Sequence, residues 1–147
     1  MYQRILVPTD GSELSAKAVR HAIALAARLG SSLVALHVSP RYPVSYFDGD
    51  LRLPREEMER TEKMWHDKGN AVIDAFVAEA RQAGVQASGV VTQSDLVAEA
   101  ILSAAKAQKC DLVVMASHGR KGVSRLLLGS ETQHVLTHGD VPVLVLR

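Results

Sequence analysis

Two glycine-punctuated stretches hold the residues of this sequence best suited to gripping an anion. One is Pro8-Thr9-Asp10-Gly11-Ser12, which follows an apolar run. The other runs from Ser117-His118-Gly119 past Arg120, Lys121 and Arg125 to Gly129-Ser130-Glu131-Thr132. Glycine lets a phosphate approach the backbone closely, and a helix starting at Ser130 would offer free N–H groups and the positive end of its dipole. The hydroxyls of Ser130 and Thr132 would add donors. This is the chemistry a polyphosphate needs. Taken alone, a Gly-Ser pair is more often a turn and an N-cap. Basic side chains in a loop are more often simply solvated. Asp10 also has two readings: it could bond a base or ribose or help hold a metal on the phosphates, or it could be a turn carboxylate capping the first helix.

Other chemistries find less support. His134 and His138 stand four apart on one expected helix, a spacing that can bind metal, but the sequence offers no third ligand beside them and no H-E-x-x-H arrangement. The G-x-x-x-x-G-K-[ST] phosphate loop, the G-x-G-x-x-G fingerprint and the G-x-S-x-G nucleophile elbow are all absent. No catalytic residue and no metal ligand is assigned. Cys110 precedes an apolar run, as a buried inert thiol would. Met64, Trp65 and Phe76 fit core or subunit contacts better than a cofactor box.

The elements that must position the glycine stretches alternate. Arg4–Pro8 is an apolar run ended by a proline, and Glu13 to Leu29 has helical spacing, with Ser12 as N-cap and Gly30 as C-cap. Leu33 to Val38 is a second strand, Glu56 to Ala83 a long helix, and Val85 to Thr92 a weaker strand with a glycine inside. Ser94-Asp95 opens a third helix. Leu112 to Ala116, Ser130 to His138 and Val141 to Leu146 complete the order βαβαβαβαβ. Unbroken apolar strands are buried on both faces, as in a parallel sheet between helix layers. The expected fold is α/β: one doubly wound domain over residues 1–147, with a five-stranded parallel sheet in the order 3-2-1-4-5 and helices on both faces. In such a sheet ligands sit where the winding reverses, at the carboxyl ends of strands 1 and 4. Those ends carry the two glycine stretches.

The formal net charge of +1 gives no broad reason to expect nucleic acid or an anionic membrane as partner. No run approaches the roughly 18 apolar residues of a membrane helix, and the N-terminus does not read as a signal peptide. With a single cysteine as well, the cytoplasm is the expected compartment. The irregular stretch from Ser39 to Pro54 holds Tyr42, Tyr46 and Phe47, three of the chain's five Tyr and Phe residues. Covering a bound base and packing on a partner subunit explain that concentration equally well.

Ile5 to Ser12, His37-Val38, Met115 to Gly122 and Leu128-Gly129-Ser130 through Val141 to Val145 resemble the universal stress protein family from end to end. Its nucleotide-binding members carry G-x2-G-x9-G-[ST]. Gly119 and Gly129-Ser130 match the second and third elements, and Ala116 replaces the first glycine. Alanine would hurt only where positive φ or a contact too close for a methyl group is needed. The resemblance implies an adenine nucleotide, ATP or AMP, with or without Mg, and a stress-response regulatory role with little or no turnover. It implies that Asp10 and Val38 contact the adenine, beside Pro8 and Thr9, and that Met115 and Ala116 line the adenine–ribose pocket. Gly119, Gly129, Ser130 and Thr132 would bind phosphates, with Ser117, His118 and Glu131 close by. It also implies a homodimer through Val141 to Leu146, an apolar edge strand open to a partner. A member that binds no nucleotide and acts as a dimeric interaction protein is the alternative, with a slow ATPase the third reading. Valine at position 129 is expected to abolish nucleotide binding and leave the fold intact.

Overall fold

A computed structural model describes residues 1–43, 54–119 and 127–147. Tyr46, Phe47, Arg120, Lys121, Gly122 and Arg125 lie outside the described residues. Five strands, β1 (Arg4–Pro8), β2 (Ser32–Ser39), β3 (Ala87–Gln93), β4 (Leu112–Ala116) and β5 (Val143–Leu146), alternate with four helices. These are α1 (Glu13–Leu29), α2 (Arg55–Gln82), α3 (Val97–Ala107) and α4 (Ser130–His138). All strand pairs are parallel and the order is β3-β2-β1-β4-β5, the order read from the sequence. Register is set by apolar residues facing apolar residues, as in Leu6 opposite both Val34 and Val113.

Side-chain alternation along each strand divides the core into two layers. Ile5, Val7, Leu33, Ala35 and Val114 pack under α1 and α2, against Val19, Ile23, Ile73 and Phe76. Leu6, Val34, Leu36, Val113 and Met115 pack under α3 and α4, against Ile101, Ala105 and Val135. Each fully buried Val, Leu or Ile contributes about 1.5–3 kcal/mol, which is why the central strands read as unbroken apolar runs. Cys110 is among the buried residues, and burial is the main influence pushing its thiol pKa up, so it is inert.

The glycine that weakened β3 in the sequence has a packing role. A Cβ on Gly89 would overlap Ile73 Cγ2 of α2, and a β-branched side chain on a helix has little freedom to turn away. Gly84, at φ 74°, closes α2: its N–H donates to Arg81 O, and Val85 N–H donates to Ala80 O.

The ends of β2 and α2 and the end of β3 differ from the sequence reading by one residue, and three other boundaries depart for visible reasons. α3 starts at Val97, not at Ser94-Asp95, because both side chains are used in the loop: Ser94 Oγ accepts Leu96 N–H and Asp95 Oδ1 accepts Arg41 N–H. β3 starts at Ala87, not at Val85, whose N–H closes the helix. β5 starts at Val143, not at Val141, because Pro142 has no N–H for the ladder and contributes only its carbonyl, to Val113 N–H. Among the described residues no helix is long and apolar enough to cross a membrane.

Candidate functional site

The loop after β1 bonds chiefly to itself. Thr9 N–H donates to Leu36 O, holding the loop to β2 at 2.9 Å. Thr9 Oγ1 then accepts Gly11 N–H (3.3 Å) and meets Ser15 Oγ at 3.1 Å. Asp10 Oδ1 accepts Ser12 N–H (2.9 Å), and Ser12 Oγ accepts Ser15 N–H to cap α1. Gly11 takes φ 77°, which lets the chain turn this tightly. The other carboxylate oxygen of Asp10 lies 2.9 Å from where a Cβ on Gly119 would stand. The loops after β1 and β4 therefore meet, as the switch-point argument requires, and Gly119 keeps Asp10 in place by having no side chain.

The β4 end is built from buried polar groups. Ser117 N–H donates to Leu146 O of β5 (2.7 Å), and Ser117 O accepts Gly129 N–H (2.8 Å). Thr132, 2% exposed, shares its hydroxyl proton between Ala116 O (3.1 Å) and Ser117 O (3.2 Å). Glu131 reaches across to α3, where its carboxylate accepts Ala98 N–H at 2.8 Å and caps that helix. Ser117 Oγ lies 3.2 Å from His118 Nδ1. Ala116 is a buried strand residue without positive φ, so that condition for needing glycine is not met.

At the start of α4 the pattern differs. Gly129, the N-cap, has no side chain, and no side chain caps the helix from this position. The first intrahelical bond of the turn is Gln133 N–H to Gly129 O, so the N–H groups of Ser130, Glu131 and Thr132 belong to the unsatisfied first turn. Ser130 is exposed. Contacts run from Asp10 to Gly119, then through His118 to Gly129 without a break.

The structure thus brings together Pro8, Thr9, Asp10, Ala116, Ser117, His118, Gly119, Gly129 and Ser130. Val38 sits on β2 beyond its last pairing with β1, which is Pro8 with Leu36, and packs partly under the α3 side. Met115 is in the core of that layer. Two side-chain roles change from the sequence reading. The Thr132 hydroxyl is spent on Ala116 and Ser117, and the Glu131 carboxylate on Ala98, so each can present only its backbone N–H at the cleft. The expected effect of valine at position 129 also changes. A Cβ there would stand 3.1 Å from Ser117 O and 3.2 Å from His118 Cα, so a branched side chain displaces the β4 loop and does not leave the fold untouched.

Sequence reasoning assigned no role in the site to His37. Its Nδ1 lies 3.0 Å from Thr9 O, and a carbonyl only accepts, so Nδ1 carries the proton. On its other side the ring packs on α2 at Gly69, where a Cβ would stand 2.5 Å from Cδ2. His37 therefore ties the Asp10 loop to α2. The available signal was a lone histidine inside an apolar strand. His134 and His138 stack at 4.2 Å, and among the described residues no group of three or more His, Cys, Asp or Glu could hold a metal ion.

Comparison with known proteins places this geometry. The model of the universal stress protein family matches residues 1–147. A universal stress protein of Methanocaldococcus jannaschii is 32% identical, over all of this chain and 83% of the relative. One from Bacillus subtilis is 30% identical over the whole of both chains. Among solved structures, a universal stress protein family member from Burkholderia pseudomallei superimposes with a TM-score of 0.77 at 25% identity, covering 99% of this chain and 96% of the other. A universal stress protein in complex with cAMP (TM-score 0.70, 24% identity, 99% and 97% covered) shares the fold. So does a family protein from Arabidopsis thaliana with AMP bound (TM-score 0.66, 17% identity, 98% and 90% covered).

Proposed function

Since the chain belongs to the universal stress protein family, we propose that it is an adenine-nucleotide-binding regulatory protein of the stress response, acting as a cytoplasmic homodimer. The observation that carries this reading is the start of α4. Its N-cap is a glycine that makes no side-chain cap, and the first-turn N–H groups stand beside the Ser117–Gly119 loop, which touches Asp10. Phosphates of ATP or AMP would take the N–H groups of Ser130, Glu131 and Thr132 and the Ser130 hydroxyl. Asp10 and Val38 would meet the adenine, with Pro8 and Thr9 beside them. Ala116 is compatible in backbone angle. The cAMP- and AMP-bound proteins of the same fold support the choice of adenine. Mg would accompany the phosphates, and among the described residues no arrangement calls for rapid turnover.

The homodimer would form through β5 and the Val141-Pro142 segment before it. β5 is an edge strand, and Leu144 on it is 42% exposed. A ligand that binds only the folded state raises its melting temperature. Millimolar ATP with Mg is expected to raise the melting point of the pure protein, and mass analysis of what is released on denaturation should show an adenine nucleotide. An unmoved melting point together with no released nucleotide would overturn this reading. The result would favour the dimeric interaction protein, a reading to which the already satisfied Gly129 N–H, Thr132 hydroxyl and Glu131 carboxylate lend weight.

A further inference from the structure

The side of the sheet facing α2 changes character along its length. On β2, Leu33 and Ala35 are core residues and are followed on the same face by His37 and Ser39. On β3, Ala87, Gly89 and Val91 are followed by Gln93. α2 mirrors the change, from Phe76 and Ile73 to His66, Glu62 and Glu59. Where both surfaces are polar they part, leaving a cleft of about 370 Å³ lined by Ser39, Glu59, Glu62, Lys63, His66 and Gln93. It lies at the carboxyl ends of β2 and β3, next in the chain to Val38.

Ser39 forms its floor. The residue is 1% exposed and its hydroxyl makes no hydrogen bond among the described residues, although its carbonyl accepts Ser94 N–H. A buried hydroxyl without a partner is costly and calls for an explanation. Beside it, the Glu62 carboxylate accepts Tyr42 N–H at 2.8 Å. That bond first, and the Gln93 amide second, hold the Glu62 pKa below the usual carboxylate value, so it is ionised at neutral pH. The Gln93 amide lines the same cleft, and its carbonyl oxygen is an acceptor. Glu59 at the rim pairs with Arg55.

We propose that this cleft binds a small ligand through a primary ammonium group. The groups on offer are acceptors: Ser39 Oγ, the Gln93 carbonyl and the remaining lone pairs of a charged carboxylate. An ammonium brings three donors and the complementary charge. An anion would meet the Glu62 carboxylate, and among the described residues no set of His, Cys, Asp and Glu here suits a metal ion. Lys63 on the rim repels a second positive charge, so the rest of the ligand is neutral or anionic, as in an amino alcohol or an amino acid. None of these lining residues is among those proposed to hold the nucleotide.

The test is a titration of the full chain with ethanolamine, followed by amide NMR shifts. Saturable shifts at Ser39, Glu62, Gln93 and Ser94 are expected. Ser39→Ala should weaken binding about tenfold, and Glu62→Gln by at least about tenfold, as loss of a hydrogen bond to a charged group implies. Lys63→Ala, at an exposed position where folding is not at stake, should tighten it about threefold by removing a like charge. Choline, a quaternary cation with no N–H to donate, should leave the cleft residues unmoved. Equal shifts with choline, shifts with acetate in place of ethanolamine, no saturation, or full affinity in Ser39→Ala would each overturn the proposal.

Discussion

Two helices begin at the switch point, and they begin in opposite ways. α1 is closed by its own sequence, with Asp10 bonding Ser12, Ser12 bonding Ser15, and Thr9 bonding Gly11. α4 starts at a glycine that caps nothing, and the buried hydroxyl of its first turn, Thr132, turns back to the carbonyls of Ala116 and Ser117. Both starts carry the same dipole, so what differs is who satisfies it. At α1 the chain does. At α4, nine residues long, the N-cap has no side chain to do so. A site is thus recognised less by the presence of a helix N-terminus than by the care with which nearby side chains are kept off it.

The change that would break this contrast most severely is Gly129→Val. Overpacking against Ser117 O and His118 is expected to cost about 1–3 kcal/mol and to abolish the ATP-induced rise in melting temperature, both read in one thermal scan with and without nucleotide. Gly129→Ala should do the same more mildly. Full binding in the valine variant would put the phosphates elsewhere. Next comes Thr132→Val, which keeps the shape and deletes the shared hydroxyl. It takes one donor from Ser117 O, which keeps Gly129 N–H, and the hydroxyl from Ala116 O, at about 0.5–1.5 kcal/mol by urea unfolding. It should weaken nucleotide binding only by loosening the β4 loop, and an unchanged unfolding midpoint would show that the hydroxyl holds nothing. Ser12→Ala tests the closed end. Loss of the cap should cost about 1 kcal/mol, with the nucleotide response intact once that stability loss is allowed for.

How much of this could be seen in the sequence divides along the same line as the two helix starts. Strand order and the cap glycine of α1 were legible because they rest on local pattern: Leu112 to Ala116 can only be a buried strand, and Gly30 stops its helix by its own φ. The meeting of Asp10 with Gly119 was legible too, since topology alone brings those loops together. Contacts between residues distant in the chain were not. Glu131 caps α3 through Ala98, 33 residues away, which is why Ser94-Asp95 misled as a start signal. Thr132 looked like a phosphate ligand because a hydroxyl on a first turn usually faces out, and nothing local says that two carbonyls lie behind it. His37 reads as a strand residue until Thr9 and Gly69 are seen on either side of it.

The smallest expected stability effect is also the sharpest test of the contrast. Ser130→Asp adds a second acidic group to the first turn of α4, where the Glu131 carboxylate is turned to Ala98, at an exposed position where no packing is disturbed. An acidic residue in a first turn stabilises a helix by about 0.3–1 kcal/mol through the dipole. In the absence of nucleotide the variant should therefore melt slightly higher than the parent, and the gain should shrink in high salt as the charge is screened. With ATP the order should reverse, because the new carboxylate occupies the first turn and repels the incoming phosphates. Without nucleotide, then, the variant is the more stable protein, and at saturating ATP the less stable one. A variant that is more stable under both conditions would mean that the dipole of α4 is real but that no phosphate uses it.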